Sequence, residues 1–147
     1  MANVYLTLKQ EQQTEINNFP MAFAFSKSQF EKEMARLGLA VDDTDKIIGI
    51  GGGGFIRRTD REAFDEMLKR LDAEMTAAMS ADPTGDGFLF DMFDYELSNH
   101  EYIVTLSVED TLDALGLTPE QVEADPRMKY ALDKAVRAQH ARYPDGV

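Results

Sequence analysis

Apolar side chains recur every three or four positions along much of this chain, which is the spacing of one face of an α-helix. The pattern is strongest over 60–79. It predicts helices over 5–18, 26–38, 60–79, 88–97, 107–116 and 126–141, with a further short helix that begins at Thr118 and Pro119. Local start signals support several of them, because Ser26 precedes Gln29 as in a capping box, and Pro119 and Pro126 each follow a capping side chain.

Shorter apolar runs with β-branched or aromatic residues predict strands at 21–25, 46–50, 55–58 and 101–106. Gly51, Gly52, Gly53 and Gly54 join the second run to the third, as in a hairpin. The chain is therefore expected to be α+β, with a small antiparallel sheet of three or four strands packed with about five or six helices. Its 147 residues are the usual length of one domain, so a single domain over 1–147 is expected.

Composition excludes several classes of site. The chain contains no Cys, which rules out disulfides, thiolate catalysis and Cys-based zinc sites. Its first 15 residues lack the apolar core of a secretory signal, and no apolar run approaches the ~20 residues of a membrane helix. These features predict a cytoplasmic protein with no membrane contact.

Charge is distributed very unevenly along the chain. Residues 71–126, the acidic block, contain 14 Asp and Glu and no Lys or Arg, whereas the remainder carries 13 acids and 15 bases. The block therefore accounts for the net charge of −12, and it is also rich in Phe, Leu, Met and Tyr, as a folded region is. A folded acidic surface repels nucleic acid and attracts basic proteins, so no direct nucleic-acid binding is expected.

The glycine run 49–54 has the letters of a dinucleotide-binding motif, but a predicted strand follows where that motif requires a helix. We interpret it as a hairpin turn, with an adaptable contact loop as the functional alternative. Arg57, Arg58 and Arg61 come shortly after it, close to a predicted helix start where they could hold an anion or a nucleotide. Pairing with the acidic block is the other interpretation of these arginines.

Two acidic segments suggest metal or acid–base chemistry. Asp82, Thr84 and Asp86 resemble the start of an EF-hand calcium loop, but its twelfth position, normally a bidentate Glu, is Phe93. The densest polar cluster consists of Asp91, Asp94, Glu96, His100 and Glu101. It lacks the spacing of known zinc or nucleophile motifs. We therefore assign no catalytic residue, no metal ligand and no cofactor.

Residues 46–57 and 86–102 resemble an uncharacterised family of small acidic proteins from gut bacteria and from their phages and mobile elements. The resemblance covers about 23–126 and implies no activity. It implies a genomic setting in which small acidic proteins often bind host proteins, as anti-restriction and anti-CRISPR inhibitors do.

The leading expectation is a non-enzymatic interaction protein whose acidic surface binds a basic, nucleic-acid-binding host protein and, in its strongest form, inhibits it by mimicking DNA. The expected partner-binding residues are Asp82, Asp86, Asp91, Asp94, Glu96, Gly51, Gly52, Gly53 and Gly54. The alternative is a small-ligand, anion or metal-binding protein that uses the hairpin with Arg57, Arg58 and Arg61, or the cluster around His100. The oligomeric state is left open.

Overall fold

The computed structural model describes residues 2–144, in which the chain forms eight α-helices and three β-strands. The helices are α1 Val4–Asn18, α2 Lys27–Arg36, α3 Arg61–Ser80, α4 Phe88–Asn99, α5 Tyr102–Thr105, α6 Glu109–Ala114, α7 Pro119–Ala124 and α8 Pro126–Arg142. The strands are β1 Ala22–Phe23, β2 Ile47–Gly51 and β3 Gly54–Arg57. The predicted α+β class is confirmed. Across residues 2–144, every helix is too short or too polar to traverse a lipid bilayer.

The chain divides into two compact units. The helical unit comprises Met1–Gln10 and Glu74–Val147, and the sheet unit comprises Glu11–Ala73. Each unit has its own buried apolar cluster. The helical unit carries 15 acids and 6 bases, whereas the sheet unit carries 12 acids and 9 bases, so most of the net negative charge belongs to the helical unit. The single domain expected over 1–147 stays a prediction.

The sheet unit contains a three-stranded antiparallel sheet in the order β1-β3-β2. β1 pairs Ala22 with Phe55, and β2 pairs Ile48 with Ile56. The predicted hairpin is confirmed, with an irregular register between Gly49 and Gly51. α2 covers the sheet because Met34 and Leu37 are buried with Ala22 and Phe55 in one apolar cluster.

α4 lies at the centre of the helical unit. Its buried residues are Leu89, Met92, Phe93, Glu96 and Leu97. α8 packs against α4 and buries Ala131 and Ala135, whose small side chains permit close approach of the two helices.

Capping side chains begin the helices largely where the sequence predicts. Thr118 and Gln121 form a reciprocal capping box at α7, with N···O distances of 3.2 and 2.8 Å. Asp125 accepts from the Arg127 N–H at the start of α8. At α2, Ser26 accepts from the Gln29 N–H as expected, but the Gln29 side chain accepts from the backbone N–H of Phe25 instead of completing the box.

The predicted strand at 101–106 is wrong, because this segment contains helix α5, a single turn. Glu101 and Leu106, which flank this turn, have left-handed φ angles of 54° and 58°, so the segment cannot be a continuous extended strand. Tyr102 is only 7% exposed, and its hydroxyl lies 3.1 Å from His140 Nε2. Burial of this ring overrides the strand preference of the β-branched residues that follow it.

Candidate functional site

Asp82, an expected partner contact, lies in the loop before α4 and is only 6% exposed. Its carboxylate accepts hydrogen bonds of 2.9 to 3.2 Å from four backbone N–H groups. The donors are those of Thr84, Gly85, Gly87 and Leu89. Burial by itself raises the pKa of the Asp82 carboxyl, but these hydrogen bonds outweigh it and lower the pKa below its usual value. Asp82 therefore shapes the loop and the start of α4, and it presents almost no surface to a partner.

Glu96 is also interior, at 3% exposed. Its carboxylate accepts from the Tyr5 hydroxyl at 3.0 Å and from Asn99 at 3.2 Å, and it pairs with Lys9 Nζ at 3.3 Å. Burial, and then the charge of Glu96, raise the pKa of the Tyr5 hydroxyl well above its ordinary value. Glu96 thereby fastens the first turns of α1 to α4.

Asp91 and Asp94 lie on α4 and bond to different helices. Asp91 Oδ2 accepts from the Val4 N–H at 2.9 Å and so caps the start of α1. Asp94 accepts from the Gln139 amide at 2.9 Å and from the Arg142 guanidinium at 3.1 Å, both on α8. These contacts anchor α1 and α8 to α4.

Asp86 is the most exposed of the five expected acids, with 49% of its side chain accessible. Lys134 Nζ and the Tyr130 hydroxyl both lie 2.7 Å from its Oδ1 atom. The ion pair with Lys134, and then the Tyr130 hydrogen bond, lower the pKa of the Asp86 carboxyl. All five expected acids thus have intramolecular partners, mostly on α1 and α8, which lie outside the acidic block. Their role in binding a partner stays a prediction.

The glycine hairpin has a structural explanation of its own. Gly52 and Gly53 have left-handed φ angles of 59° and 79°, as tight two-residue hairpin turns require. A Cβ atom at Gly53 would lie 2.6 Å from the Phe25 ring, and one at Gly54 would lie 2.7 Å from the Phe23 ring. The glycines therefore let two exposed aromatic rings lie against the backbone. A contact role for residues 51–54 stays a prediction.

The three arginines near the hairpin are engaged within the sheet unit. Arg57 pairs with Asp60 at 2.7 Å. Arg58 donates to the backbone carbonyls of Asp45 and Ile47, at 3.0 and 3.2 Å. Arg61 is 3.8 Å from Asp65. These contacts are made with the sheet unit's own residues, not with the acidic block. Arg61 is 64% exposed, and an anion-binding role for the three arginines stays a prediction.

The cluster around His100 does not form a metal site in the part of the chain that the structure describes, where no three His, Asp or Glu side chains converge as ligands. Glu96 points into the interior, and Asp91 and Asp94 bond to different helices. The chain's other histidine, His140, contacts Tyr102.

A cleft of about 210 Å³, which we call the α5 cleft, lies between α5 and the end of α8. Its wall includes Glu101, Ile103, Val104, Gln139 and Tyr143. Val104 is 61% exposed and the adjoining Leu106 is 63% exposed. Sequence reasoning missed this cleft because a strand at 101–106 explained the same apolar residues as one face of a sheet.

Five acids between residues 101 and 120 differ from those on α4, and one of them, Glu101, lines the α5 cleft. Within residues 2–144 they make no side-chain hydrogen bond or ion pair, and we call them the unpaired acids. They are Glu101, Glu109, Asp110, Asp113 and Glu120. All are exposed, and residues 101–120 contain no Lys or Arg. Among residues 2–144 these five carboxylates have no counter-charge, whereas all five acids expected from the sequence have partners within the fold.

These features define an α+β protein with an acidic helical unit and a small cleft whose wall includes the unpaired Glu101. The chain belongs to a family of unknown function, DUF7659, whose model matches residues 4–138. No curated protein and no solved structure is significantly similar to it. The family match spans residues of both units and includes α5, α6 and α7.

Proposed function

We propose that this protein is a non-enzymatic interaction protein whose acidic surface binds a basic protein in a bacterial cytoplasm. In the strongest form, the partner is a nucleic-acid-binding host protein that is inhibited because carboxylates replace DNA phosphates on its surface. Phages or mobile elements of gut bacteria are the setting in which we place it.

One observation carries the proposal: the unpaired acids are exposed and have no counter-charge within residues 101–120. Carboxylates close together repel one another, and a basic partner relieves that repulsion on binding. Acids near the start of α6 also stabilise this helix through its dipole. That interaction contributes only ~0.3–1 kcal/mol and does not require five carboxylates.

The contact surface proposed here differs from the one that the sequence favours. Asp82 and Glu96 are buried, and Asp91 and Asp94 already bond to α1 and α8. The carboxylates available to a partner are therefore centred on α6 and its neighbours. Any DNA mimicry would rely on these residues. Of the five acids that the sequence favours, Asp86 alone is largely exposed and could add to them.

The test is capture of bacterial host proteins at increasing salt, with identification by mass spectrometry. The informative variant is Glu109→Lys/Asp110→Lys/Asp113→Lys on α6. Its matched control is Glu31→Lys/Glu62→Lys/Glu66→Lys, three exposed acids of the sheet unit. We call these two variants the α6 triple and the control triple. Both change the net charge equally, so a difference between them reports binding by a specific surface and not an effect of overall charge.

We expect a basic nucleic-acid-binding protein to be retained at moderate salt by the wild type and by the control triple, and lost by the α6 triple. The surviving complex should also weaken as salt rises, because surface charges are screened. If both triples lose the same proteins together, the chain acts as a plain ion exchanger and the proposal fails. It fails equally if the α6 triple binds as well as the wild type.

A further inference from the structure

We infer that the α5 cleft binds one apolar side chain from a basic amphipathic segment of the protein partner. This inference rests on the proposed function and specifies where and how the partner docks.

The size of the cleft selects the kind of occupant. Small-molecule and cofactor pockets usually exceed ~300 Å³, whereas a cavity of ~150 Å³ already holds a benzene molecule. The α5 cleft, at about 210 Å³, therefore matches one aliphatic or aromatic side chain better than a nucleotide or a cofactor.

The wall of the cleft is suited to an apolar group. Ile103 and Val104 provide aliphatic surface, and Tyr143 provides an aromatic ring that is 39% exposed. Leu106 adds a second exposed aliphatic side chain just after α5. Aliphatic and aromatic groups left exposed together gain free energy when a partner covers them.

The charges around the cleft select a basic segment. The Glu101 carboxylate lines the cleft and has no partner among residues 2–144. Glu109 and Asp110 follow Leu106 closely enough that at most ~11 to 14 Å of chain separates their Cα atoms from it. Arg142, which directly precedes the cleft residue Tyr143, is already paired with Asp94. A Lys or Arg within two turns of the inserted side chain would therefore meet a carboxylate.

A second copy of this chain is a poor candidate for the same site. Two molecules that each carry a net charge of −12 repel one another, and the wall of the cleft itself includes the unpaired Glu101. Charge complementarity therefore favours a basic segment of another protein as the occupant.

The test uses two labelled helical peptides of equal length and charge, one of Leu and Lys and one in which every Leu is Ala. Fluorescence anisotropy measures their affinities for the wild type, Val104→Asp, the milder Val104→Thr, and Val41→Asp. Val41 is a matched control, since it is a valine 47% exposed in the sheet unit. Circular dichroism confirms that each variant is folded before its affinity is compared.

A second readout locates the bound peptide. The chain has no Trp, so Tyr143→Trp places a single fluorophore on the wall of the cleft. Phe25→Trp is the control, because Phe25 is 76% exposed and lies in the sheet unit. Neither peptide contains Trp, so any blue shift reports burial of the introduced indole.

We expect the Leu/Lys peptide to bind at least tenfold more tightly than the Ala/Lys peptide. Val104→Asp should remove that preference and Val104→Thr should reduce it, whereas Val41→Asp should keep it. Emission should shift to the blue in Tyr143→Trp and stay unchanged in Phe25→Trp.

Four results would overturn the inference. Equal binding of both peptides would leave the acidic surface as the only attraction and the proposed function intact. A preference that survives Val104→Asp would place the apolar contact outside the α5 cleft, again with the proposed function intact. Binding of neither peptide removes the cleft as a docking site, and the proposed function is then decided by the α6 triple alone. A dimer that sedimentation shows to dissociate in Val104→Asp would make a second copy the occupant.

Discussion

The Tyr5 hydroxyl donates a 3.0 Å hydrogen bond to the Glu96 carboxylate, although the two residues are 91 positions apart in the chain. Glu96 comes from the middle of the acidic block, and Tyr5 comes from the first helix. The same carboxylate is paired with Lys9 and is only 3% exposed. Glu96 is counted in the acidic block of the sequence, but in the structure it is a buried residue that links α1 to α4 within the helical unit.

Removal of either partner in this contact should destabilise the protein to different degrees. Tyr5→Phe deletes one hydrogen bond to a charged group and should lower the free energy of unfolding by about 1.5–3 kcal/mol. Glu96→Ala leaves the buried Tyr5 hydroxyl without its acceptor and also opens space, so a loss of about 2–4 kcal/mol is expected, because Lys9 is half-exposed and can be hydrated. Urea unfolding measures both, with Glu120→Ala as an exposed control expected within about 0.5 kcal/mol of wild type. A Glu96→Ala variant as stable as this control would contradict a structural role for Glu96.

Asp82 should make stability depend on pH in the acid range. Its pKa is lowered in the folded state, so its contribution to stability is complete above the unfolded value of about 3.9 and is lost as pH falls through the folded pKa. Asp82→Asn should lower the free energy of unfolding by about 2–4 kcal/mol at neutral pH, because an amide cannot accept all four N–H bonds. The difference between variant and wild type should shrink as pH falls below about 4.

Other carboxyls with lowered pKa values, including those of Asp86 and Asp125, contribute to the same acid dependence. For this reason the quantity to measure is the difference between wild type and Asp82→Asn, obtained from urea unfolding at several pH values. Asp113→Asn, at an exposed carboxylate without a partner, serves as the control. A difference for Asp82→Asn that stays constant from pH 7 to pH 3 would show that its carboxylate is not the group that titrates.

Local sequence signals were sufficient to predict most of the secondary structure. Ser26, Thr118 and Asp125 act as caps through hydrogen bonds to nearby backbone groups, so a short window of sequence contains the information. The hairpin also depends on adjacent glycines. The turn at α5 depends on burial of Tyr102 against α8, a long-range contact that no window around residue 102 includes.

The candidate site was harder to predict than the fold, because clustering of acids along the chain differs from clustering on the surface. A helix turns successive residues to different sides. Asp91 accordingly meets α1 while Asp94 meets α8, and Glu96 faces the interior. The cleft was unpredictable for a related reason: neither Glu101 nor Leu106 is a residue type that signals a left-handed φ angle.

Gly85 should be far less tolerant of substitution than Gly51, although both have a φ angle of 91°. A Cβ atom at Gly85 would lie 2.5 Å from the backbone oxygen of Arg127, whereas one at Gly51 would have no atom within 4 Å. Gly51→Ala should therefore cost only the backbone strain, about 1–2 kcal/mol. Gly85→Ala should cost at least about 2 kcal/mol more, because α8 must shift away from the loop. Equal losses of unfolding free energy in the two variants would mean that the loop yields without disturbing α8.

Leu106 should be a residue whose removal does not lower stability. Its φ angle of 58° is strained for a side chain with a Cβ, and the side chain is 63% exposed, so little packing offsets the strain. Leu106→Gly should leave the free energy of unfolding unchanged or raise it by up to about 1 kcal/mol, since relief of strain outweighs the added freedom of the unfolded chain. Val104 is the matched control, because it is similarly exposed but lies within helix α5.

Val104→Gly should lower the free energy of unfolding by about 0.5–1 kcal/mol in the same urea experiment. Val104→Gly should weaken the preference for the Leu/Lys peptide because it removes an aliphatic group from the wall of the α5 cleft. Leu106→Gly should weaken it because Leu106 is an exposed aliphatic residue directly after α5. A protein that becomes no less stable while it loses binding would identify Leu106 as a residue retained for contact with a partner. If Leu106→Gly instead destabilises the protein more than Val104→Gly, the Leu106 side chain stabilises the fold, and its exposure has no bearing on function.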